Sequence, residues 1–128
     1  MGSTSPSARR EPGERVKRLE KIVRIAEGHF VAASNRPLSL RDLCAATGVG
    51  KGTLYSAFHL VCGAPPMAYF RKLRLIQARI FLLTSEPSRG RVKQAALNAG
   101  FVEFGRFAVE YRKAFGESPS STLNRFQD

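Results

Sequence analysis

The chain has no tryptophan, two cysteines and two histidines among 128 residues, and ten acidic residues against 21 basic ones. Each scarcity excludes something. Cys44 and Cys62 match no metal-ligand spacing and are too few for a disulfide framework. Both are expected to be packing residues of a reduced protein, as free cysteine usually is. His29 and His59 stand near no Ser, Cys or carboxylate constellation that suggests chemistry. No nucleophile–base–acid set is visible, so no enzyme, metal or cofactor is expected. No apolar run reaches the ~18 residues of a membrane helix. The opening MGSTSPSARREPGE is polar and lacks the apolar segment of a signal peptide. These absences point to a cytoplasmic protein with no membrane partner, or to a piece cut from a longer chain.

What the chain has in excess is positive charge, formally +11. The excess is not uniform. Residues 65–115 hold Arg71, Lys72, Arg74, Arg79, Arg89, Arg91, Lys93, Arg106, Arg112 and Lys113, against only Glu86, Glu103 and Glu110. Such a bias is the electrostatic footprint of a polyanion partner, and nucleic acid is the first candidate. Hydrophobic content of 43% is ordinary for a folded protein, and the length suits one domain with a modest core.

Periodicity is helical throughout. Across 14–34, Leu19, Ile22, Val23, Ala26 and Phe30 fall on one face. SNRPL breaks that helix, and Ser39 can cap a short one over Leu40–Thr47. A second runs from about Lys51 to Cys62 with Leu54, Phe58 and Val61 inward, and Gly63 ends it. Pro65 and Pro66 open a long helix to about Leu83, with Tyr69, Phe70, Leu73, Ile76, Ile80 and Leu83 as its apolar set. A short helix over Val92–Ala99, one over Phe104–Phe115, and a last one capped by Ser118 with Pro119 at its first position complete the chain. No segment alternates with period two for long enough to be a strand. The expectation is all-α, about seven helices. The expected division is a tail at 1–13, an N-terminal helix and linker at 14–36, a first helix-turn-helix at 37–64, a linker helix at 65–84 and a second helix-turn-helix at 85–128.

The string GVGKGT at 48–53 resembles half a phosphate-binding loop. The pattern G-x-x-x-x-G-K-[ST] needs glycine at position 45, which is Ala45, and Ser or Thr after Lys51, where Gly52 stands. It also needs a preceding strand, which an all-α chain does not supply. The string instead belongs to a repeat. A short helix, Gly48, then a helix with Leu54 and Phe58 is matched by a short helix, Gly100, then a helix with Phe107 and Tyr111. A small residue precedes each glycine by four positions (Cys44, Ala96), and an apolar residue follows it (Val49, Phe101). That is the grammar of helix-turn-helix units. Gly48 to Leu54 is six residues and Gly100 to Phe107 is seven, so the second turn is longer.

The segments LSLRDLCAATGVGKGTLYSAF, PPMAYFRKLRLIQARIFLL and VKQAALNAGFVEFGRFAVEYRKAFGESP, in that order, resemble the DNA-binding domain of AraC/XylS transcription regulators over roughly residues 37–127. The resemblance implies two homeodomain-like helix-turn-helix subdomains joined by a long helix, each placing a recognition helix in the major groove of double-stranded DNA. At ~1.5 Å per residue the linker helix spans roughly 27 Å. That length suits grooves about one turn, ~34 Å, apart. The family usually carries an effector-binding domain before this part. Residues 1–34 are too short for one, so the chain reads as a monomeric fragment whose effector would act through a domain not present here. Small stand-alone members of the family leave a complete regulator as the alternative.

On the first recognition helix the outward face presents Lys51, Gly52, Tyr55, Ser56 and His59. The base-reading positions of the family resemble Gly52, Tyr55 and Ser56, while Lys51 and His59 suit phosphates. On the second, Phe107, Tyr111 and Phe115 are expected inside, and the outward set is Phe104, Gly105, Arg106, Ala108, Val109, Arg112 and Lys113. The family often has Gln, Ser, His or Arg at these outward positions. Here Phe104, Gly105, Ala108 and Val109 offer no side-chain hydrogen bond to a base. Arg106 remains as the strong base-edge candidate, because its fork can pair with guanine O6 and N7. Phe104 and Val109 can meet thymine methyls, and Arg112 and Lys113 suit phosphates. Arg41 and Lys93 lie beside helix starts, whose free N–H groups also favour phosphate. The competing readings are a protein-interaction module whose apolar second helix docks on a partner such as RNA polymerase, and a basic RNA binder, which lacks a recognisable RNA motif.

Overall fold

The computed structural model describes residues 12–126. The greater part of the tail expected at 1–13 lies outside them. Seven helices follow one another among the described residues: α1 Pro12–Ala33, α2 Leu40–Thr47, α3 Lys51–Cys62, α4 Pro66–Leu83, α5 Arg91–Asn98, α6 Phe104–Phe115 and α7 Pro119–Leu123. The chain forms two compact units. One holds 12–32 and 38–67, the other 33–37 and 68–126.

In the first unit, α1 buries Leu19, Ile22, Val23, Ala26 and Phe30, the face its periodicity specifies. α2 is fixed at both ends. The Ser39 hydroxyl accepts from the Asp42 amide while the Asp42 carboxylate accepts from the Ser39 amide, a reciprocal cap. Gly48 closes it at φ +73°, its N–H donating to the Cys44 carbonyl at 2.9 Å. α2 packs on α3 through the fully buried Leu43, Leu54, Ala57 and Phe58. Val61, expected inward, is 40% exposed. It sits in the last turn before Gly63, and Ala57 takes the inward position one turn earlier. Cys44 is only half-buried, so it is less enclosed than its alanine counterpart in the repeat, Ala96.

The second unit is centred on α5–α7 and the body of α4. Leu75, Ala78, Leu82, Ala95, Ala96, Ala99, Phe101, Phe107, Tyr111 and Leu123 form its core, with Phe81, Val92 and Phe115 packed against it. The apolar set expected for α4 is therefore corrected. Phe70 is buried as expected, but Ile80 is 55% exposed and the inward residues are Leu75, Ala78 and Leu82. The cause is Arg74, which the sequence pattern treats as a surface charge. It is buried, and its guanidinium donates to the carbonyls of Arg36 (2.6 Å) and Ser34. The inward stripe of α4 thus runs Phe70–Arg74–Ala78–Leu82, every fourth residue.

The two turns end their first helices differently. After α5, Gly100 at φ +91° donates to the Leu97 carbonyl and the Phe101 amide to the Ala96 carbonyl at 2.8 Å. The extra residue of the second turn lies after its glycine: Val49 and Gly50 separate Gly48 from α3, whereas Phe101, Val102 and Glu103 separate Gly100 from α6.

Candidate nucleic-acid interface

α3 places its expected site residues on one exposed face. Lys51, Gly52, Ser56 and His59 are exposed, and Tyr55 is 37% exposed. Leu54 and Phe58, buried at 0%, hold the opposite face and so fix this one outward. Tyr55, Ser56 and His59 line, with Pro65, a shallow depression of about 380 Å³. Its apolar wall and hydroxyl edges suit a sugar or a thymine methyl beside a hydrogen-bond acceptor. Gly52 has open space around it: a Cβ added there would meet nothing within 4 Å. No internal contact requires that glycine.

α6 repeats the arrangement within its own unit. Phe107 and Tyr111 are buried, at 1% and 0%, and Gly105, Arg106, Val109, Arg112 and Lys113 are exposed. Gly105, like Gly52, is the second residue of its helix and is open. Phe104 and Lys93 are brought together, the ammonium lying 5.3 Å from the ring centroid. This cation–π contact joins the first turn of α5 to the first residue of α6. Arg41 is exposed in the first turn of α2.

Ser39 and Ser118 cap α2 and α7 with side-chain hydrogen bonds. The N-caps of α3, α5 and α6, which are Gly50, Gly90 and Glu103, make no side-chain cap bond. A helix start without such a bond offers its N–H groups and dipole to an external anion.

The basic excess is smaller at the surface than in the sequence. Four of the ten basic residues between 65 and 115 donate hydrogen bonds within the second unit: Arg91, to the Glu86 carbonyl and the Gln94 side chain, and Arg71, Arg74 and Arg79. Arg71 forms a two-pronged pair with Glu110 and lies 5.1 Å from the Phe101 ring centroid. Arg74 donates to the Ser34 and Arg36 carbonyls, and burial pushes its guanidinium pKa down from the usual arginine value. Arg79 pairs with Glu117 at 3.2 Å and covers Phe115. Glu117 also receives Thr122 and Arg125, and Tyr111 donates to Thr122 at 2.7 Å, so α7 is tied to α4 and α6 by a connected polar network. The Thr122 hydrogen bond, then that of Arg125, holds the Glu117 carboxyl below the usual range.

Two residues that sequence reasoning did not place at the site belong to its framework. Glu110, on α6, is claimed by Arg71 and also lies 3.4 Å from Arg106 Nε. The hydrogen bonds from Arg71, more than the nearby charges, lower its pKa. The Arg106–Glu110 spacing of four was readable from the sequence. The Arg71 partner, 39 residues away, was not. No group of three or more His, Cys, Asp or Glu among the described residues is arranged to hold a metal, and no helix among them is long and apolar enough to cross a membrane.

Two helix-turn-helix units, each presenting an exposed second helix, define a helix-turn-helix protein. The sequence model of a family described as "Helix-turn-helix domain" matches residues 43–125. The chain is 35% identical over 105 residues to the "Probable thc operon regulatory protein" of Rhodococcus erythropolis, covering 82% of this chain and 32% of that one. It is 33% identical over 106 residues to the "XylDLEGF operon transcriptional activator 2" of Pseudomonas putida, covering 83% and 65%. The chain thus spans from about a third to just under two thirds of these relatives. Among solved structures, a probable AraC family transcriptional regulator from Rhodopseudomonas palustris matches with TM-score 0.70 at 35% identity, over 84% of this chain and 99% of that one. The chain belongs to the AraC/XylS family of helix-turn-helix transcription regulators.

Proposed function

We propose that the chain binds double-stranded DNA sequence-specifically and regulates transcription, with α3 and α6 entering successive major grooves. The observation that carries this reading is the repeated geometry of the two second helices. Each buries an apolar face (Leu54, Ala57 and Phe58 in α3, Phe107 and Tyr111 in α6), exposes the opposite one, begins on a residue that makes no side-chain cap bond and carries an open glycine at its second position. Family membership supports it. Base readout is assigned to Tyr55, Ser56 and Arg106, with Gly52 and Gly105 allowing close approach and Phe104 and Val109 facing thymine methyls. Lys51, His59, Arg41, Lys93, Arg112 and Lys113 are assigned to phosphates. The domain division of the sequence reading, cytoplasmic location, binding as a monomer, and an effector acting through a further domain complete the proposal.

Selection from a random duplex pool tests it. The expected product is a bipartite motif with halves about ten base pairs apart. Binding should weaken steeply with salt, by roughly one unit of log–log slope per phosphate neutralised. Arg106→Ala should relax base preference in one half-site, whereas Lys113→Ala should weaken all sequences alike. An unselective pool and a flat salt response would refute the reading. A second reading rests on Val102 and Val109, 78% and 57% exposed on the second unit. These suit docking on a protein such as RNA polymerase, and Val109→Lys would then abolish activation while sparing DNA affinity.

A further inference from the structure

Arg106 does not stand alone on α6. Its Nε lies 3.4 Å from Glu110, one helical turn on, while its side chain is 68% exposed. Glu110 is in turn gripped on both carboxylate oxygens by Arg71, whose own guanidinium packs over Phe101. Nε is thus the guanidinium nitrogen that the ion pair brings to the carboxylate, as a charge contact rather than a hydrogen bond, and the side chain as a whole stays open to solvent. The terminal nitrogens are the edge that pairs with guanine O6 and N7. An arginine free to rotate can reach a phosphate as readily as a base. One drawn by charge toward a carboxylate that is itself fixed samples fewer directions, so part of the ordering cost is met before DNA arrives.

The structure assigns Glu110 as a positioning residue that sets the base selectivity of Arg106, with Arg71 as the residue that tempers it. Arg71 matters because a lone carboxylate would compete with the base for Arg106 and repel DNA phosphates. Two arginines on one carboxylate leave a net positive group, so the ion pair draws Arg106 without neutralising it. The assignment rests on the proposal that Arg106 reads a base.

The test is parallel selection of random duplex DNA by the 128-residue chain and four variants: Arg106→Ala, Glu110→Ala, Arg71→Met and Arg71→Met with Glu110→Ala. The wild type should show one position where guanine is preferred about 5- to 150-fold, the range for a good bidentate pair. Arg106→Ala should lose that preference. Glu110→Ala should keep affinity, or raise it on every sequence, while cutting the guanine preference at that position about threefold or more and leaving the rest of the motif unchanged. Arg71→Met should move the other way in affinity, because Glu110 then closes wholly on Arg106. The double variant should recover that affinity without the selectivity. Thermal melts of each variant separate these effects from loss of fold. If Arg106→Ala leaves every preference unchanged, the base-reading proposal falls and this inference with it. If Arg106→Ala removes a guanine preference that Glu110→Ala retains in full, Arg106 reads the base unaided and the Glu110 assignment alone is overturned. A uniform loss across all sequences in Glu110→Ala, with a lowered melting temperature, would reduce Glu110 to a structural residue and overturn it equally.

Discussion

Gly52 offers a measurement in which stability and binding should move in opposite directions. It is exposed in the first turn of α3, in ordinary helical backbone, and a Cβ there would meet nothing within 4 Å. Alanine should therefore stabilise the folded chain. A glycine in mid-helix costs roughly 0.5–1 kcal/mol relative to alanine, and the second helical position retains less of that, so about 0.3–0.5 kcal/mol is expected. Gly28, equally open and well inside α1, supplies a control with the full effect and no place in the proposed interface. If α3 lies so close to DNA that a methyl at position 52 meets sugar or base, the complex should suffer the ~1–3 kcal/mol typical of overpacking, a loss of about fivefold or more in affinity. The assay pairs thermal or urea unfolding with binding to a selected duplex. Gly28→Ala should stabilise without touching affinity, and Gly52→Ala should stabilise and weaken binding. Unchanged or tighter binding by Gly52→Ala would refute close approach at that glycine. Destabilisation by Gly52→Ala would refute the open surroundings on which the reasoning rests.

Gly100→Ala should destabilise the chain by more than Gly48→Ala. Both force a side chain into left-handed backbone, but only at Gly100 would the Cβ lie 2.3 Å from Arg74 Nη1 and 3.2 Å from the Asn35 carbonyl. About 1 kcal/mol is expected for Gly48→Ala and roughly 2–4 kcal/mol for Gly100→Ala, read from denaturant midpoints. Ser39→Ala should cost about 1 kcal/mol by removing the α2 cap, and Asp42→Ala, which breaks the reciprocal half, should cost less. The acid limb of stability should be steep and should depend on Glu110 and Glu117. Both carboxyls are held below the ordinary value of 4.5 in the folded chain, so the unfolded chain binds more protons as pH falls below that value. Their contribution is complete above about pH 5 and disappears as pH drops through the folded values. Glu117→Gln should flatten that limb, and an unchanged acid profile would refute the role of the Thr122–Arg125 network.

Where local rules decide, the fold was legible residue by residue. The bounds of α2, α3 and α6 follow from Ser39, the three glycines at 48, 63 and 116, and the Leu54–Phe58 and Phe107–Tyr111 pairs. The outward faces of α3 and α6 follow by subtraction, since an apolar face that must be buried leaves only the opposite one to expose. α4 was not legible in this way. A helix rich in Leu, Ile and Phe all round can be rotated by a fraction of a turn without an obvious change in pattern. What fixes it is polar: Arg74 buried on carbonyls 38 residues away, Arg71 on Glu110 and Arg79 on Glu117. These long-range pairs have no periodic signature. They also change the meaning of the charge count, because a cation that has a carboxylate or carbonyl inside the fold is not available to a phosphate. The composition points to a polyanion partner, but among the ten basic residues of 65–115 Arg71, Arg74 and Arg79 build the second unit, Arg91 donates to the Glu86 carbonyl and Arg106 lies beside Glu110, which leaves a smaller remainder for the proposed interface. Arg106 stands between those two sets. It is 68% exposed and lies 3.4 Å from Glu110, the carboxylate that Arg71 holds, so the proposed base reader and the framework of α6 meet at one side chain.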